Sequence, residues 1–338
     1  IENSLLDGSA GVFIKNATNI RLINNTFLLS AFYHLKIMNS SNIEIIDSKV
    51  QCRYQSGGVI ITVCVPGIIL EKVTSVFISN VELSYCSTGI QILNSSDTQI
   101  NTAFVLHLSD SAFLIKNSHN VSIIESTIEN NKFGIKIFNS SMITVANTCL
   151  TNDGIWFYEC SKDQIKSMNL SNVTVNGKEI TIVCEESGIQ LNGNYGQVFI
   201  LFSNNIRISG LVNGIEVYHS SNITITKANI EKNDFGLLIQ NGSNIDIEKT
   251  NISYACYALY AETVHLIVLF NTTLNCSKGI YLSFAQNITV DHVKMLRGKI
   301  TAKYTTNLSI ENSTSSGLIS VSHSSAIVPN ITLWYILW

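Results

Sequence analysis

Charged side chains are scarce in this chain of 338 residues. Only 13% of its residues are Asp, Glu, Lys or Arg, and the net charge at pH 7 is −3. A protein that binds nucleic acid needs a basic stripe to neutralise phosphates, so this composition argues against that class of partner. Two prolines occur, and no Pro-rich or Gly-rich linker divides the sequence. We therefore expect a single domain across residues 1–338.

Long apolar runs are also missing. No segment reaches the roughly 18 consecutive apolar residues of a membrane-spanning helix, so we predict no span within the chain. The run at 333–338 contains six apolar residues. It fits either a C-terminal cap at 326–338 or the start of a span that continues beyond the chain, and we favour the cap. The chain lacks an initiator Met and a signal peptide, as expected of a processed or excerpted extracellular chain.

Signatures of metal and cofactor sites are absent from the sequence. The seven histidines are scattered without a His-x-His or His-x-x-x-His pair, and the eight cysteines contain no Cys-x-x-Cys pair. The sequence also lacks a phosphate-binding loop, a nucleophile elbow and a dinucleotide-binding fingerprint. We predict neither a metal nor a cofactor.

What the sequence does contain is a repeat, seen most clearly at residues 214–235. Three short segments in this stretch alternate apolar with polar residues, around Ile215, Ile223 and Ile230. This period of two indicates strands with one buried face. Turn residues such as Ser220 and Ser221 separate the strands, and the pattern restarts at Gly236. Three strands and three turns therefore make one coil of a solenoid.

The same pattern covers nearly the whole chain. A second marker, Asn followed by Ile or a similar apolar residue, recurs at a fixed offset from the opening of each coil. A leucine-rich repeat would also fit the period, but here the apolar residues are mostly Ile and Val and no 3.6-residue period is sustained. We predict about 14 coils of about 22 residues. A small residue usually opens the coil; the opening positions are Gly11, His34, Gly67, Gly89, Ala112, Gly134, Gly154, Gly188, Gly214, Gly236, Ala258, Gly279 and Gly317.

The consensus Gly-Ile-x-Ile-x-Asn-Ser-x-Asn-Ile-x-Ile, followed by Asn-x-Ile, resembles the repeat of the pectate-lyase-like superfamily. The resemblance implies an all-β fold, a single-stranded right-handed parallel β-helix. That superfamily includes polysaccharide lyases and hydrolases, epimerases, surface adhesins and phage tailspikes. Because sites are grafted onto folds, the resemblance is specific for the fold and not for a function.

Two insertions interrupt the repeat, near 46–66 and near 166–204. Insertions in a solenoid emerge as loops, where binding function is concentrated. Tyr54, Trp156 and Tyr158 lie near these loops and suggest a carbohydrate-binding module as one alternative function.

Stacked coils lie about 4.8 Å apart, so equivalent residues form columns. Asparagine tolerates the left-handed backbone of a tight bend, and its amide can pair with the amides above and below. We expect such an Asn ladder at the turn after the first strand, formed by Asn16, Asn39, Asn94, Asn117, Asn139 and Asn241.

Cysteines should follow the same stacking. Cys64 and Cys86 each precede a coil-opening glycine by three residues, and Cys256 and Cys276 are nearly in column. We predict the disulfides Cys64–Cys86 and Cys256–Cys276, although Cys52 could instead pair with Cys64. The pairing of Cys149, Cys160 and Cys184 stays open. Disulfides would place the protein outside the cytosol, at the cell surface or in the extracellular medium.

The glycosylation motif Asn-x-Ser/Thr occurs at 17 asparagines, whereas composition alone would give roughly 7. The repeat itself explains those in the Asn ladder. It explains five others less well, and we predict N-linked glycans among these: Asn24, Asn169, Asn251, Asn271 and Asn275.

One fragment is similar to a catalytic segment. Val290-Asp291-His292, followed by Arg297, resembles the Val/Ile-Asp-His segment of pectate lyases. The resemblance implies that Asp291 would help to bind Ca²⁺ and that Arg297 would abstract a proton. The other calcium ligands, the Arg-x-Pro-x-x-Arg segment and the polygalacturonase motifs have no counterpart, so the sequence leans away from an enzyme.

We therefore expect an extracellular structural β-solenoid that acts as a cell-surface, adhesive or filament-forming subunit. The chain opens inside a coil, so either a preceding region or another subunit would cover that end, and we expect end-to-end self-association. The competing hypotheses are a polysaccharide lyase or hydrolase and a carbohydrate-binding β-helix protein, with carbohydrate as a further partner.

Overall fold

A computed structural model describes residues 1–7, 10–28, 30–56, 59–62, 64–327 and 332–333. For 53–56, 59–62 and 332–333 it describes the backbone alone. The chain divides into two compact units, Ile1–Gly177 and Lys178–Trp338. The boundary lies inside the 166–204 segment at which the repeat is interrupted. A single domain over the whole chain stays a prediction, and each unit is described by itself below.

The described residues of the first unit form 22 strands and one short helix. The elements are β1 (Leu5–Asp7), β2 (Val12–Lys15), β3 (Thr18–Ile23), β4 (Thr26–Leu28), β5 (Leu35–Met38), β6 (Ser41–Ile46), β7 (Lys49–Gln51), β8 (Arg53–Ser56), β9 (Val59–Thr62), β10 (Ile68–Glu71), β11 (Thr74–Ser84), β12 (Ile90–Leu93), β13 (Ser96–Leu106), β14 (Ser111–Lys116), β15 (His119–Ile124), β16 (Thr127–Glu129), β17 (Phe133–Phe138), β18 (Ser141–Ala146), β19 (Cys149–Thr151), β20 (Ile155–Tyr158), α1 (Lys162–Lys166), β21 (Asn169–Ser171) and β22 (Thr174–Val175).

Successive coils of the first unit pair in parallel. The first strands of the coils form one seven-stranded sheet in the order β2-β5-β10-β12-β14-β17-β20. The register joins equivalent apolar residues, so that Ile68 pairs with Leu35 on one side and with Ile90 on the other. An antiparallel hairpin of β8 and β9 occupies the predicted 46–66 insertion.

The second unit repeats this arrangement in one parallel sheet from β24 to β42. Its elements are β23 (Lys178–Glu179), β24 (Thr181–Cys184), β25 (Gln190–Tyr195), β26 (Val198–Leu201), β27 (Asn204–Val212), β28 (Ile215–Tyr218), β29 (Ser221–Glu231), β30 (Phe235–Gln240), β31 (Ser243–Glu248), β32 (Asn251–Ser253), β33 (Tyr257–Glu262), β34 (His265–Phe270), β35 (Thr273–Ser283), β36 (Gln286–Asp291), β37 (Lys294–Lys303), β38 (Thr306–Glu311), β39 (Thr314–Ser315), β40 (Ile319–Ser322), β41 (Ala326–Ile327) and β42 (Thr332–Leu333).

The predicted coil at 214–235 is present in β28 and β29, where Ile215, Ile223 and Ile230 are fully buried. The fold is a parallel β-solenoid of about 14 turns with a spacing of about 22 residues, as the repeat predicted. Small residues open the coils because the neighbouring backbone passes very close. A Cβ atom added to Gly89 would lie 2.5 Å from the carbonyl oxygen of Ala112.

The turn after the first strand contains the predicted Asn ladder. All six asparagines of that column have φ between 40° and 53°. Asn117 Nδ2 donates to Asn94 Oδ1 at 3.4 Å, and Asn139 Nδ2 donates to Asn117 Oδ1 at 3.0 Å. The buried serine after these asparagines forms a second ladder, in which the Ser95 amide donates to Ser118 Oγ at 3.2 Å.

The predicted cysteine pairing is wrong in both cases. Cys86 is bonded to Cys52, with the two Cα atoms 5.0 Å apart, and Cys64 is an exposed free thiol. An equal offset from a coil-opening glycine does not set the direction of a side chain that follows an inserted hairpin. β7 pairs with the end of β11, where Gln51 is the partner of Ser84, and this pairing brings Cys52 beside the turn that carries Cys86.

Cys256 and Cys276 are free thiols as well. The Lys278 amide donates to the Cys256 carbonyl oxygen, and the Ser277 amide donates to that of Ala255. Cys256 is therefore offset by one residue from Cys276. Cys276 points into the core, whereas Cys256 is half-buried.

Two expectations concern the C-terminus and membranes. The predicted cap at 326–338 lies mostly outside the described residues, within which β41 and β42 continue the strand pattern. Across the part of the chain that the structure describes, no helix has the length and apolar character needed to cross a membrane.

Candidate functional site

Asp291 and Arg297 are the two residues that resemble pectate-lyase catalytic groups. Asp291 ends β36, where its Oδ1 accepts from His292 Nδ1 at 2.8 Å and from Asn312 Nδ2 at 3.0 Å. Arg297 is exposed on β37. Among the described residues, no ion pair joins Arg297 to Asp291. A catalytic role for this pair stays a prediction, without a shared site to support it.

The second unit carries an aromatic cluster that the sequence analysis missed. We call Phe235, Tyr257, Tyr260 and Tyr281 the tyrosine patch. Register explains its geometry, because Phe235 pairs with Tyr257 and Tyr260 pairs with Tyr281 in adjacent coils. The Tyr260 and Tyr281 rings stack at 4.7 Å, and the Phe235 and Tyr257 rings stack at 5.6 Å. The three tyrosines are half-buried.

Edge-to-face contacts tie these two stacks together. The Tyr257 ring lies 5.5 Å from that of Tyr260, with the planes at 82°. Lys278 Nζ lies 4.8 Å from the Tyr257 ring centroid and 3.4 Å from its hydroxyl. Burial, and secondly the carboxylate of Glu262, raises the pKa of Tyr260 far above its ordinary value. The Tyr260 hydroxyl therefore remains a hydrogen-bond donor at any physiological pH.

A second aromatic stack begins beside the patch, at the turn that follows β35. Phe284 and Tyr304 stack at 5.0 Å, and Tyr304 and His323 stack at 5.0 Å. Phe284 is 56% exposed and Tyr304 is 50% exposed. The signal that could have revealed both stacks is the recurrence of Tyr and Phe at one coil position in consecutive repeats.

The first unit contains a groove of about 480 Å³ beside the 46–66 insertion. Its lining includes Asp47, Glu82 and Glu125 together with the exposed Phe104. Glu82 forms an ion pair with Lys49 at 2.8 Å, and Asp47 accepts from Asn80 Nδ2 at 2.6 Å. Two of the three carboxylates are therefore engaged by neighbouring coils.

A buried group of metal-ligand type lies elsewhere in the first unit. His34, Cys52 and Cys86 are each 0% exposed, and one donor atom from each lies within 4.8 Å of the others. Burial lowers the pKa of His34, so the imidazole is neutral at pH 7. Spacing rules could not reveal this group, because the coils bring together residues 18 and 34 positions apart.

The predicted glycosylation sites differ in their surroundings. Asn24, Asn169, Asn251 and Asn271 are exposed, and Asn275 is half-buried. Asn24 and Asn271 have φ near 50° and therefore belong to the turn columns, and Asn24 Nδ2 donates to Asn3 Oδ1. These two asparagines therefore also have a structural role in the turns. Glycosylation stays a prediction at all five.

Of the aromatics near the loops, Trp156 is fully buried, so it does not belong to the surface. The Tyr158 ring stacks on that of Phe138 at 4.5 Å. The side chain of Tyr54 lies outside the described residues.

Two family models match the chain. The model described as right handed beta helix region matches residues 66–210, and its coils are those that pair in parallel above. The chain has a right-handed β-helix fold. The second model, described as periplasmic copper-binding protein (NosD), matches residues 171–330 of this β-helix. No curated protein matches the sequence.

Three solved structures with a similar course of chain have low sequence identity to this protein. The mannuronan C-5 epimerase AlgE4 A-module of Azotobacter vinelandii is 11% identical, with 98% of this chain and 85% of that chain covered and a TM-score of 0.34. The surface adhesin PfbA of Streptococcus pneumoniae is 10% identical, with 99% and 82% covered and a TM-score of 0.31. The tailspike of E. coli bacteriophage HK620 is 10% identical, with 97% and 70% covered and a TM-score of 0.37.

The description of the second family model implies copper, and residues 171–330 do not fit it. Among the described residues of that range, no three His, Cys, Asp or Glu side chains converge. The four histidines of this range contact other groups. His219 stacks on Phe202, and His265 Nδ1 lies 3.5 Å from Asn287 Nδ2. His292 pairs with Asp291, and His323 stacks on Tyr304.

Proposed function

We propose that this β-helix is an extracellular adhesive surface protein without enzymatic activity, and that it holds carbohydrate at the tyrosine patch. The observation that carries the proposal is the patch itself. Three half-buried tyrosines offer apolar ring surface and phenolic hydroxyls on one face, beside the ammonium group of Lys278 and the carboxylate of Glu262. Such a surface suits a ligand that alternates C–H and hydroxyl groups, as sugars do.

The disulfide supports a compartment outside the cytosol, because cytosolic reductants keep most thiols reduced. The description of the second family model as a periplasmic protein points to the same side of the membrane. Rings and neutral hydroxyls make up most of this surface, which agrees with the low content of charged residues in the chain.

The test is binding to an immobilised panel of neutral and acidic polysaccharides. We expect Tyr257→Ala and Tyr281→Ala each to weaken the binding by about tenfold or more, since aromatic anchors contribute roughly 1–3 kcal/mol. Tyr33→Ala is the matched control, because Tyr33 is also half-buried but lies in the first unit against Phe13. Equal losses in all three variants, or no binding by the native protein, would contradict the proposal.

An enzymatic function is the second candidate, because the groove beside the 46–66 insertion presents acidic side chains. Hydrolysis of a glycosidic bond needs two carboxyl groups that flank it. Glu125 lines the groove, and Asp47 and Glu82 lie with it. Release of reducing ends from a polysaccharide panel, lost in Glu125→Gln and retained in Asp246→Asn, would establish this function in place of adhesion.

End-to-end self-association stays a prediction. Electron microscopy of the purified chain at high concentration tests it, with filaments expected if coils of different molecules stack. A monomer over the whole concentration range would contradict it.

A further inference from the structure

The buried group in the first unit begins with an exception in the coil-opening column. Its members in this unit are Gly or Ala except at one position, which is His34. The register places His34 between Gly11 and Gly67, since Leu35 pairs with both Val12 and Ile68. The neighbouring backbone leaves little space in this column, so a fully buried imidazole here requires a reason.

The contacts of His34 do not satisfy both of its ring nitrogens. Nδ1 lies 3.6 Å from Cys52 Sγ and 3.4 Å from the Pro66 carbonyl oxygen. Nε2 is buried and has no hydrogen-bond partner among the described residues. Buried polar atoms are nearly always paired, and an exception indicates strain, a function or an absent ion.

The two sulfur atoms complete a set of soft donors. Cys52 and Cys86 are as deeply buried as His34, and the three donor atoms all lie within 4.8 Å of one another. In the structure the two cysteines form a disulfide. Reduced to thiolates, they would supply two sulfur ligands beside one imidazole nitrogen.

A cavity adjoins His34 on one side of this group. A cavity of about 190 Å³ is lined by His34 together with Asp7, Gly11, Phe27 and Ser30. A metal ion is small enough to pass through such a space, whereas a protein that exchanges disulfides is not. The surroundings therefore favour an ion over a redox partner protein as the ligand.

We propose that His34, Cys52 and Cys86 form a Cu(I) site in the reduced protein, and that the disulfide is its oxidised, metal-free form. Two thiol molecules reduce the disulfide and leave as their own disulfide, which gives Cys52 and Cys86 one proton each. Cu(I) then binds the two sulfurs and the His34 nitrogen, and both thiol protons are released. Thiolate ligands select Cu(I), and three donors suffice for it, whereas a structural zinc site takes four.

The experiment uses the full chain, reduced with a phosphine without oxygen, desalted, and titrated with Cu(I) against bicinchoninate as a competing chelator. We expect one tightly held Cu(I) per chain, and none in the untreated, disulfide-bonded protein. Cys52→Ser and Cys86→Ser should each weaken binding by about 100-fold, and His34→Leu by about tenfold. X-ray absorption at the copper edge should show two sulfur ligands and one nitrogen ligand.

Two matched variants control for the other thiols. Cys276→Ser removes a buried free thiol from the second unit, and Cys64→Ser removes an exposed one from the first. Neither should change the affinity. The proposal would be overturned if all the cysteine variants had equal effects or if copper bound without the His34 nitrogen. It would also be overturned if Zn²⁺ bound more tightly than Cu(I), or if circular dichroism showed that the reduced chain is unfolded. The adhesive function does not depend on this site, so either proposal can fail alone.

Discussion

At the scale of single residues, the turns of the β-helix depend on asparagine for two separate reasons. Asn117 has φ of 50°, a left-handed conformation in which residues with a Cβ are usually strained. Its amide also lies within a ladder, donating to Asn94 and accepting from Asn139. A backbone requirement and a side-chain requirement are therefore met at the same position.

These two contributions can be separated at Asn117. We expect Asn117→Ala to lower the free energy of unfolding by about 2 kcal/mol, because it loses the ladder and adds strain. Asn117→Gly should cost about half as much, because glycine adopts the positive φ without strain. Chemical denaturation measures both values. A glycine variant less stable than the alanine variant would contradict this explanation. Asn117 is not in a glycosylation motif, so glycans do not affect the comparison.

Asp153 is a residue for which burial and charge conflict. It is fully buried, and the Asn131 amide and side-chain Nδ2 donate to its two oxygens at 3.0 Å. Asn131 Oδ1 in turn accepts from the Leu108 amide. Burial raises the pKa of Asp153 to about 7, against the hydrogen bonds from Asn131, and the charge of Glu129 adds to the rise.

The raised pKa predicts a dependence of stability on pH. Between the ordinary aspartate pKa and about 7, the folded state holds a proton that the unfolded chain has lost. Stability should therefore fall as the pH rises through this window. Above about pH 7, ionisation of Asp153 should cause no further change in stability. We expect the native protein to lose about 2 kcal/mol relative to Asp153→Asn between pH 5 and pH 8. Thermal unfolding at several pH values measures this, and parallel curves for the two proteins would contradict it.

At the scale of structural elements, the inserted hairpin of β8 and β9 decides which cysteines meet. The chain leaves the stack after Cys52 and rejoins it before Val65, so Cys52 still lies beside the coil that carries Cys86. Cys64 has the same offset from its glycine as Cys86, but its side chain is exposed. The partner of Cys86 therefore depends on which cysteine points inward, Cys52 before the insertion or Cys64 after it.

This pairing predicts a contrast between cysteine variants. The Cys52–Cys86 bond separates residues 34 positions apart, and a loop of that size corresponds to about 3–4 kcal/mol of stabilisation. We expect Cys86→Ser to lower stability by that amount under oxidising conditions. Cys64→Ser should have almost no effect. Denaturation of both variants measures the difference, and equal losses would indicate that Cys86 pairs with Cys64 after all.

At the scale of the whole molecule, the weak charge of the chain bears on how it would recognise a ligand. The net charge is −3, and the tyrosine patch consists of rings and neutral hydroxyls beside one lysine and one glutamate. Salt screens interactions between exposed charges but not ring contacts or neutral hydrogen bonds.

Carbohydrate binding at the tyrosine patch should therefore depend little on salt. Between 50 mM and 500 mM NaCl we expect the dissociation constant for a neutral polysaccharide to change by less than about threefold. Binding measured across a salt series tests this. A decrease of tenfold or more would show that charged groups outside the patch hold the ligand.

The sequence by itself determined the coil, its period and the asparagine turns. The coil and its period depend on residues close together in one repeat. The turns depend on a left-handed backbone conformation that asparagine tolerates and most other residues do not. Each coil repeats this local structure, and equivalent residues of stacked coils lie side by side. The parallel pairing of Ile68 with Ile90 therefore follows from the repeat alone. Only the tertiary structure decided the Cys52–Cys86 bond, the position of His34 beside it, and the joining of Tyr257 to Tyr281. Each of these depends on which way a side chain points at an irregular turn or insertion, and that direction is set by the neighbouring coils.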